Sequence, residues 1–219
     1  MENIVINIVN IVGEEDDVKN AIMMLLDVNP IKEITKTIGD YIGYKGAYDN
    51  LDIIKWDING IPFEFELNDN NSIKFKTYYD MPYESILELS IHNPDVHIKL
   101  LYADEEFGFN TGMCEFYQGE EIDYYVPNNI PEAVKFSLNI IDDNYYIFEY
   151  ICDLDDEDLE DGINGSDEVL NTLLHHIYTK QILSDIYPIQ LQEYLLELAV
   201  EEENYEFAAE LKKVLDSAY

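Results

Sequence analysis

Carboxylates, grouped in short runs, are the side chains this sequence gathers densely enough to do chemistry. Glu14, Glu15, Asp16 and Asp17 are consecutive, Asp104, Glu105 and Glu106 close a strand-like run, and Glu120 and Glu121 follow a Gln118-Gly119 turn. Asp153, Asp155, Asp156, Glu157, Asp158, Glu160 and Asp161 place seven acids in nine positions. Such runs can coordinate a cation, shuttle a proton, or present negative charge to a basic partner. A calcium loop of the helix–loop–helix kind requires Gly at its sixth position and Glu at its twelfth, and no starting Asp in the last run supplies both. His92 and His97 flank a proline turn near Asp95 and Asp104, a pattern too common to argue acid–base work. His175-His176 lacks cysteine or carboxylate neighbours at ligand spacing, so it reads as a pair on the edge of a helix. No glycine-rich phosphate loop, Gly-x-Ser-x-Gly elbow or His-Glu-x-x-His occurs. Cys114 and Cys152 define neither a disulfide framework nor a zinc site, and their apolar flanks predict two buried free thiols. No catalytic residue, metal site or cofactor is expected, and the protein reads as non-enzymatic.

That leaves charge display. The 219 residues carry 47 acids against 12 bases, a net charge of −35, and every base is lysine. Phosphate and base recognition rely on arginine forks, so direct nucleic-acid binding and attachment to anionic membranes are excluded as expectations. The expected partner is basic: a nucleic-acid-binding protein such as a nuclease or defence effector, or another cationic groove. The alternative is that the acidity only keeps the chain in solution. No basic segment followed by an apolar stretch opens the chain, and no apolar run nears 18 residues, so a cytoplasmic protein is expected.

The positioning elements are legible from periodicity. Asn3–Val12 alternates, with Ile4, Ile6 and Ile8 on one side and Val5, Val9 and Ile11 on the other, and predicts a central strand covered on one side by helices. Glu14–Asp17 then open a helix at the end its dipole favours, with Val18, Ala21, Ile22, Leu25 and Leu26 as its stripe. Residues 32–42 suggest a short helix, and strands are predicted at Ile53–Ile58, Pro62–Leu67 and Ile73–Tyr78, with Asn59-Gly60 and Asp69–Asn71 as turns. Pro82 starts a helix over Tyr83–Ile91. Asp95–Ala103, Met113–Tyr117 and Ile122–Val126 form a meander. Two more strands are predicted at Val134–Ile141 and Tyr145–Cys152.

Several of these pieces resemble the Api92/YubB-like proteins of phages and plasmids, which carry a ferredoxin-like domain. The similarity lies in Gly13–Lys19 opening a helix after the first strand, in Trp56, and in Tyr79-Asp80-Met81-Pro82 leading into a helix. It continues through Pro94, Tyr102-Ala103-Asp104-Glu105, Gly108-Phe109, Gly112 and Gln118-Gly119-Glu120. The resemblance covers residues 3–126 and implies an α+β fold, a ferredoxin-like antiparallel sheet with helices on one face. It brings no catalytic residues, and the chain departs from it after Pro127.

The rest is expected to be helical. Residues 1–150 would form the α+β domain, 151–166 an acidic linker, and 167–219 a helical domain starting at a Ser166 cap. Leu170, Leu173, Leu174, Ile177 and Tyr178 mark the first helix. Ile189–Tyr219 predicts two antiparallel helices turning near Glu203-Asn204, with Leu191, Leu195, Leu198 and Ala199 facing Tyr205, Ala208, Ala209, Leu211 and Leu215. The run Tyr205-Glu206-x-Ala208-Ala209-x-Leu211 resembles the UVR helical hairpin of bacterial repair and adaptor proteins, with Lys212-Lys213 in place of the usual Arg-Asp. That resemblance implies a protein-docking module.

Two functions compete on these grounds. One is a phage-type inhibitor, of the anti-CRISPR or anti-restriction kind, whose carboxylates imitate nucleic acid in a basic groove. Its contact residues would be the acids named at the outset. The other is an adaptor or structural protein docking through Tyr205, Glu206, Ala208, Ala209, Leu211 and Lys212.

Overall fold

The computed structural model describes residues 3–26, 62–69, 71–141, 144–154, 156–184 and 187–217. The expected helix over residues 32–42, the strand Ile53–Ile58, Trp56, the Asn59-Gly60 turn and Asp155 lie outside them.

Strand β1 (Ile4–Val12) is the axis of the sheet. Its β-branched residues suit a pleat buried on both faces, and its period of two sends Val5, Val9 and Ile11 to one core and Ile4, Ile6 and Ile8 to another. Helix α1 (Glu15–Leu26) follows, then β2 (Phe63–Asp69), β3 (Ser72–Tyr78), α2 (Tyr83–His92) and β4 (His97–Asp104). The sheet order β2-β3-β1-β4 is antiparallel at every pairing. Because β3 and β4 both run against β1, they are parallel to each other and need a crossover, which α2 supplies. This is the β-α-β-β-α-β ferredoxin-like arrangement. Strands β5 (Gly112–Tyr117) and β6 (Glu120–Tyr125) extend it beyond β4 by hairpins.

Helices α1 and α2 cover one face, packing Ile22, Leu25, Ile86 and Leu89 on Phe75, Leu100 and Phe116. The opposite face is covered as well. Helices α3 (Ile130–Ile140), α4 (Asn144–Cys152), α5 (Asp156–Ile163), α6 (Glu168–Lys180), α7 (Ile189–Glu201) and α8 (Tyr205–Ser217) bury Ile6 and Ala103 together with Val134, Ile151, Leu173 and Phe207. The fold is α+β as expected, with β1 shared by two cores.

The two strands expected at Val134–Ile141 and Tyr145–Cys152 are instead α3 and α4. Asn129 caps α3, its side-chain oxygen accepting from Glu132 N at 2.9 Å, while Glu132 Oε2 accepts from Asn128 N at 3.2 Å. This near-reciprocal cap commits the chain to a helix. The buried positions Ala133, Val134, Ser137 and Ile140 repeat at helical spacing. In α4 the buried pair is Ile147 and Ile151, four residues apart. Aromatic and β-branched content suggested strands, and tertiary packing overrode it.

The acidic run is not a free linker either. Asp156–Ile163 is helical, Leu159 is buried, and a Cβ on Gly162 would lie 2.1 Å from Leu170 Cδ2. Asp167 rather than Ser166 caps α6, accepting from Leu170 N at 2.9 Å, and Ser166 Oγ donates to Asp161 O. In the terminal hairpin Tyr205 and Ala209 point to solvent, whereas Phe207 is fully buried against Tyr178 at a ring distance of 5.9 Å. Cys114 is buried as expected, and Cys152 is exposed.

Candidate partner-binding surface

The acids expected to form one surface divide between the two ends of the sheet. Ile4 N donates to Glu105 Oε1 at 2.9 Å, which puts Glu105 at the start of β1. Glu14–Asp17 follow its other end, about 26 Å away for eight steps of an extended strand. Val12 pairs with His97, His97 with Tyr117 and Tyr117 with Glu120, so Glu120 and Glu121 share the far end with Glu14–Asp17. Of that far group, Glu15 is held by Lys19 and Glu121 by the Tyr83 hydroxyl, whose pKa burial and Glu121 push up to about 12.

Asp104 is not a surface acid. It is 2 % exposed and accepts from Asn3 Nδ2 at 2.8 Å, Glu106 N at 2.9 Å and Asn110 Nδ2 at 3.4 Å. It organises the turn after β4. Burial raises its pKa, and the three hydrogen bonds oppose that rise.

At this end the structure builds a cleft of about 390 Å³. Glu105 and Glu106 from the turn after β4 face Glu149 and Asp153 from α4 and its end, and the walls are Phe107, Phe109, Tyr146 and Tyr150. The turn is held by Asp104. On α4, Tyr146, Glu149, Tyr150 and Asp153 fall at i, i+3, i+4 and i+7, one face of a helix. Phe107 and Tyr150 meet edge to face at 5.9 Å and 86°. Burial raises the Glu105 pKa, with Asp104, Glu149 and Glu106 adding to the rise. Burial also raises the Tyr150 hydroxyl, reinforced by Asp167, Asp158 and Glu106. Asp153 sits just past the C-terminus of α4, its N–H on Glu149 O, where the helix dipole disfavours a carboxylate. Burial and the neighbouring carboxylates act on Glu105 against its bond from Ile4 N, and Glu149 accepts from the Tyr145 hydroxyl at 3.3 Å. Among the described residues, no lysine lines the cleft. The neighbouring Lys76 stands 5.7 Å over the Tyr146 ring and is held by Glu64, and although burial lowers its pKa, Glu64 and Tyr146 raise it overall.

The cleft brings together Glu105, Glu106 and Asp153 of the expected set, with Asp158 near enough to act on Tyr150. It does not include Glu14–Asp17, Glu120 or Glu121. Glu157, Glu160 and Asp161 are exposed. Sequence reading did not find Glu149, Phe107, Phe109, Tyr146 or Tyr150. Their signal was the helical spacing of Tyr146, Glu149, Tyr150 and Asp153, hidden while that stretch read as a strand. Among the described residues, no group of three or more His, Cys, Asp or Glu is arranged to hold a metal ion, and no helix is long and apolar enough to cross a membrane.

In the hairpin, Tyr205, Glu206, Ala209 and Lys212 are exposed, while Ala208 and Leu211 belong to the core.

Residues 55–158 match a family model described as a ferredoxin-like domain in Api92-like protein. The match includes both walls of the cleft and runs on through α3 and α4, past the point at which the resemblance was expected to stop, and it leaves out the Gly13–Lys19 motif. No curated protein and no solved structure matches the chain. The match over residues 55–158 supports kinship of this chain with the Api92-like family, through that family's ferredoxin-like domain.

Proposed function

We propose that the protein is a non-enzymatic inhibitor that binds the basic, nucleic-acid-binding groove of a host defence protein, such as an RNA-guided or restriction nuclease. The observation that carries this reading is the cleft, where four carboxylates and four aromatic rings converge and no lysine among the described residues joins the lining. A lysine or arginine entering it would relieve repulsion among the acids and stack on rings. Lys76 over Tyr146 is an example of such a contact within the chain. The net charge of −35 adds long-range steering toward a cationic groove. The exposed acids of α5 and of the far end would extend the charged surface, on an origin in a phage or plasmid.

The test is displacement. Labelled duplex DNA is bound to each of a panel of basic bacterial nucleases, RNA-guided ones included, and fluorescence anisotropy follows added protein. Release of DNA at low salt that fades at about 0.5 M salt is expected, together with at least tenfold weaker release by the E106Q/E149Q/D153N variant. Release by that variant equal to the parent's would exclude the cleft.

A second reading, an adaptor docking through its UVR-like hairpin, draws support from Val200 and Tyr205, which are 51 % and 65 % exposed beside the turn. Because Phe207 and Leu211 are core residues, removing the hairpin would damage the fold, and V200D with Y205A is the cleaner probe. A salt-resistant partner lost in that double variant would favour the adaptor.

A further inference from the structure

Among the described strands β6 ends the sheet, and all six of its residues are exposed. Its inner side is fixed. Gly112 on β5 lacks the Cβ that would fall 2.5 Å from Tyr125 O, so the two strands approach closely, and the Tyr125 ring lies 5.6 Å from Phe136. The Tyr124 hydroxyl bonds that of Tyr102. Its outer side carries backbone groups with no neighbouring strand among the described residues, and Tyr124 N donates to the preceding Asp123 Oδ1 at 2.9 Å. A rigid strand with an open edge is a template for strand addition.

The charges along it choose the occupant. Glu120, Glu121 and Asp123 are half of the strand, Ile122 and Tyr124 are 50 % and 51 % exposed, and no lysine is present. A second copy paired on this edge would set three carboxylates against three, within cross-strand range, between chains of −35 each. A strand bearing lysine or arginine would gain both the backbone ladder and the cross-strand ion pairs. We propose that the outer edge of β6 is a docking edge for an extended, cationic segment of a partner protein. The inference goes beyond the cleft reading, because it concerns a separate element and a main-chain mode of recognition.

The probe is a blocked nonapeptide of alternating lysine and valine, titrated against the full chain with hydrogen exchange read at Glu120–Tyr125. Two controls accompany it. The same peptide N-methylated at alternate residues, in both phases, keeps its charge and loses its backbone donors. The E120K/I122K variant cancels the edge's net negative charge at two exposed side chains and leaves the Glu121 contact with Tyr83 and the Asp123 bond to Tyr124 N in place. Expected are at least tenfold slower exchange in β6, and at least tenfold weaker binding for one methylated phase and for the variant. The E106Q/E149Q/D153N variant should bind the peptide like the parent, so failure here and failure of the cleft reading are separable. Equal binding by both methylated phases, or protection confined to other elements, would overturn the proposal. Dimers joined through β6 in sedimentation without peptide would overturn it in favour of the second copy.

Discussion

Asn3 and Asp104, 101 positions apart in the sequence, are joined by a 2.8 Å hydrogen bond that ties the start of β1 to the turn after β4. The same carboxylate holds Glu106 N, so the loop carrying Glu105 and Glu106 is set by a buried anion. D104A would leave three donors, Asn3 Nδ2, Glu106 N and Asn110 Nδ2, without their acceptor, at a cost of about 1–3 kcal/mol. Urea denaturation should show that loss, and the cleft should bind more weakly because its rim is loosened.

Stability should rise as the solution is made mildly acid. Asp104 and Glu105 have folded pKa values raised above their ordinary 3.8 and 4.5. Between the ordinary and the raised values, the folded chain holds protons that the unfolded chain has lost. Their contribution is therefore complete below the ordinary values and is lost as pH rises through the raised ones. A melting temperature that falls as the pH is raised above the ordinary carboxylate values is expected, with a shallower slope in D104N/E105Q. A profile that climbs steadily with pH would contradict the assignment.

Neutralising the cleft should strengthen the fold while it weakens the contact. E106Q/E149Q/D153N removes three like charges from one site, and because all three are exposed a gain of about 0.5 kcal/mol at low ionic strength is expected. The gain should shrink in high salt. A loss of stability would mean that local contacts, such as the Tyr145 hydroxyl on Glu149, outweigh the mutual repulsion.

Gly162 fixes how the acidic helix α5 meets α6. A methyl group there would lie 2.1–2.8 Å from three carbons of Leu170, including its Cβ, which cannot swing aside. G162A should cost about 1–3 kcal/mol despite its better helix propensity. Under the linker reading of this stretch the same change would be neutral, so one denaturation curve distinguishes the two.

Phe207 and Tyr205 are two residues apart and should behave oppositely. F207A removes a fully buried ring and should cost about 3–5 kcal/mol. Y205A alters an exposed side chain and should stay within about 0.5 kcal/mol. Thermal melts of the two variants are sufficient to check this.

The ferredoxin-like order was readable because each of its strands is bounded by a local signal. Gly13 ends β1, Pro82 opens α2, and Asn93-Pro94 closes it. The alternation Val96, Ile98, Leu100, Tyr102 is buried throughout. The second face was not readable in the same way. Ile4, Ile6 and Ile8 predict a buried side without saying what buries it, and the cover comes from helices more than 120 residues later. At α3 and α4, β-branched and aromatic residues outweighed the Asn129 cap, so the face joining Tyr146 to Asp153 stayed hidden. Charge alone grouped the acids by sequence, whereas the length of β1 separates them by tens of ångströms and burial removes Asp104 from the surface.

The two cysteines differ in a way that equips the molecule for measurement. Cys114 is fully buried, and burial and Glu121 push its thiol up to about 12, so it will not react with maleimides in the folded state. Cys152 is exposed and adjoins Asp153 at the edge of the cleft. A dye or spin label added to the unaltered chain will therefore attach at one position beside the candidate contact, and will report its occupancy without any engineered residue.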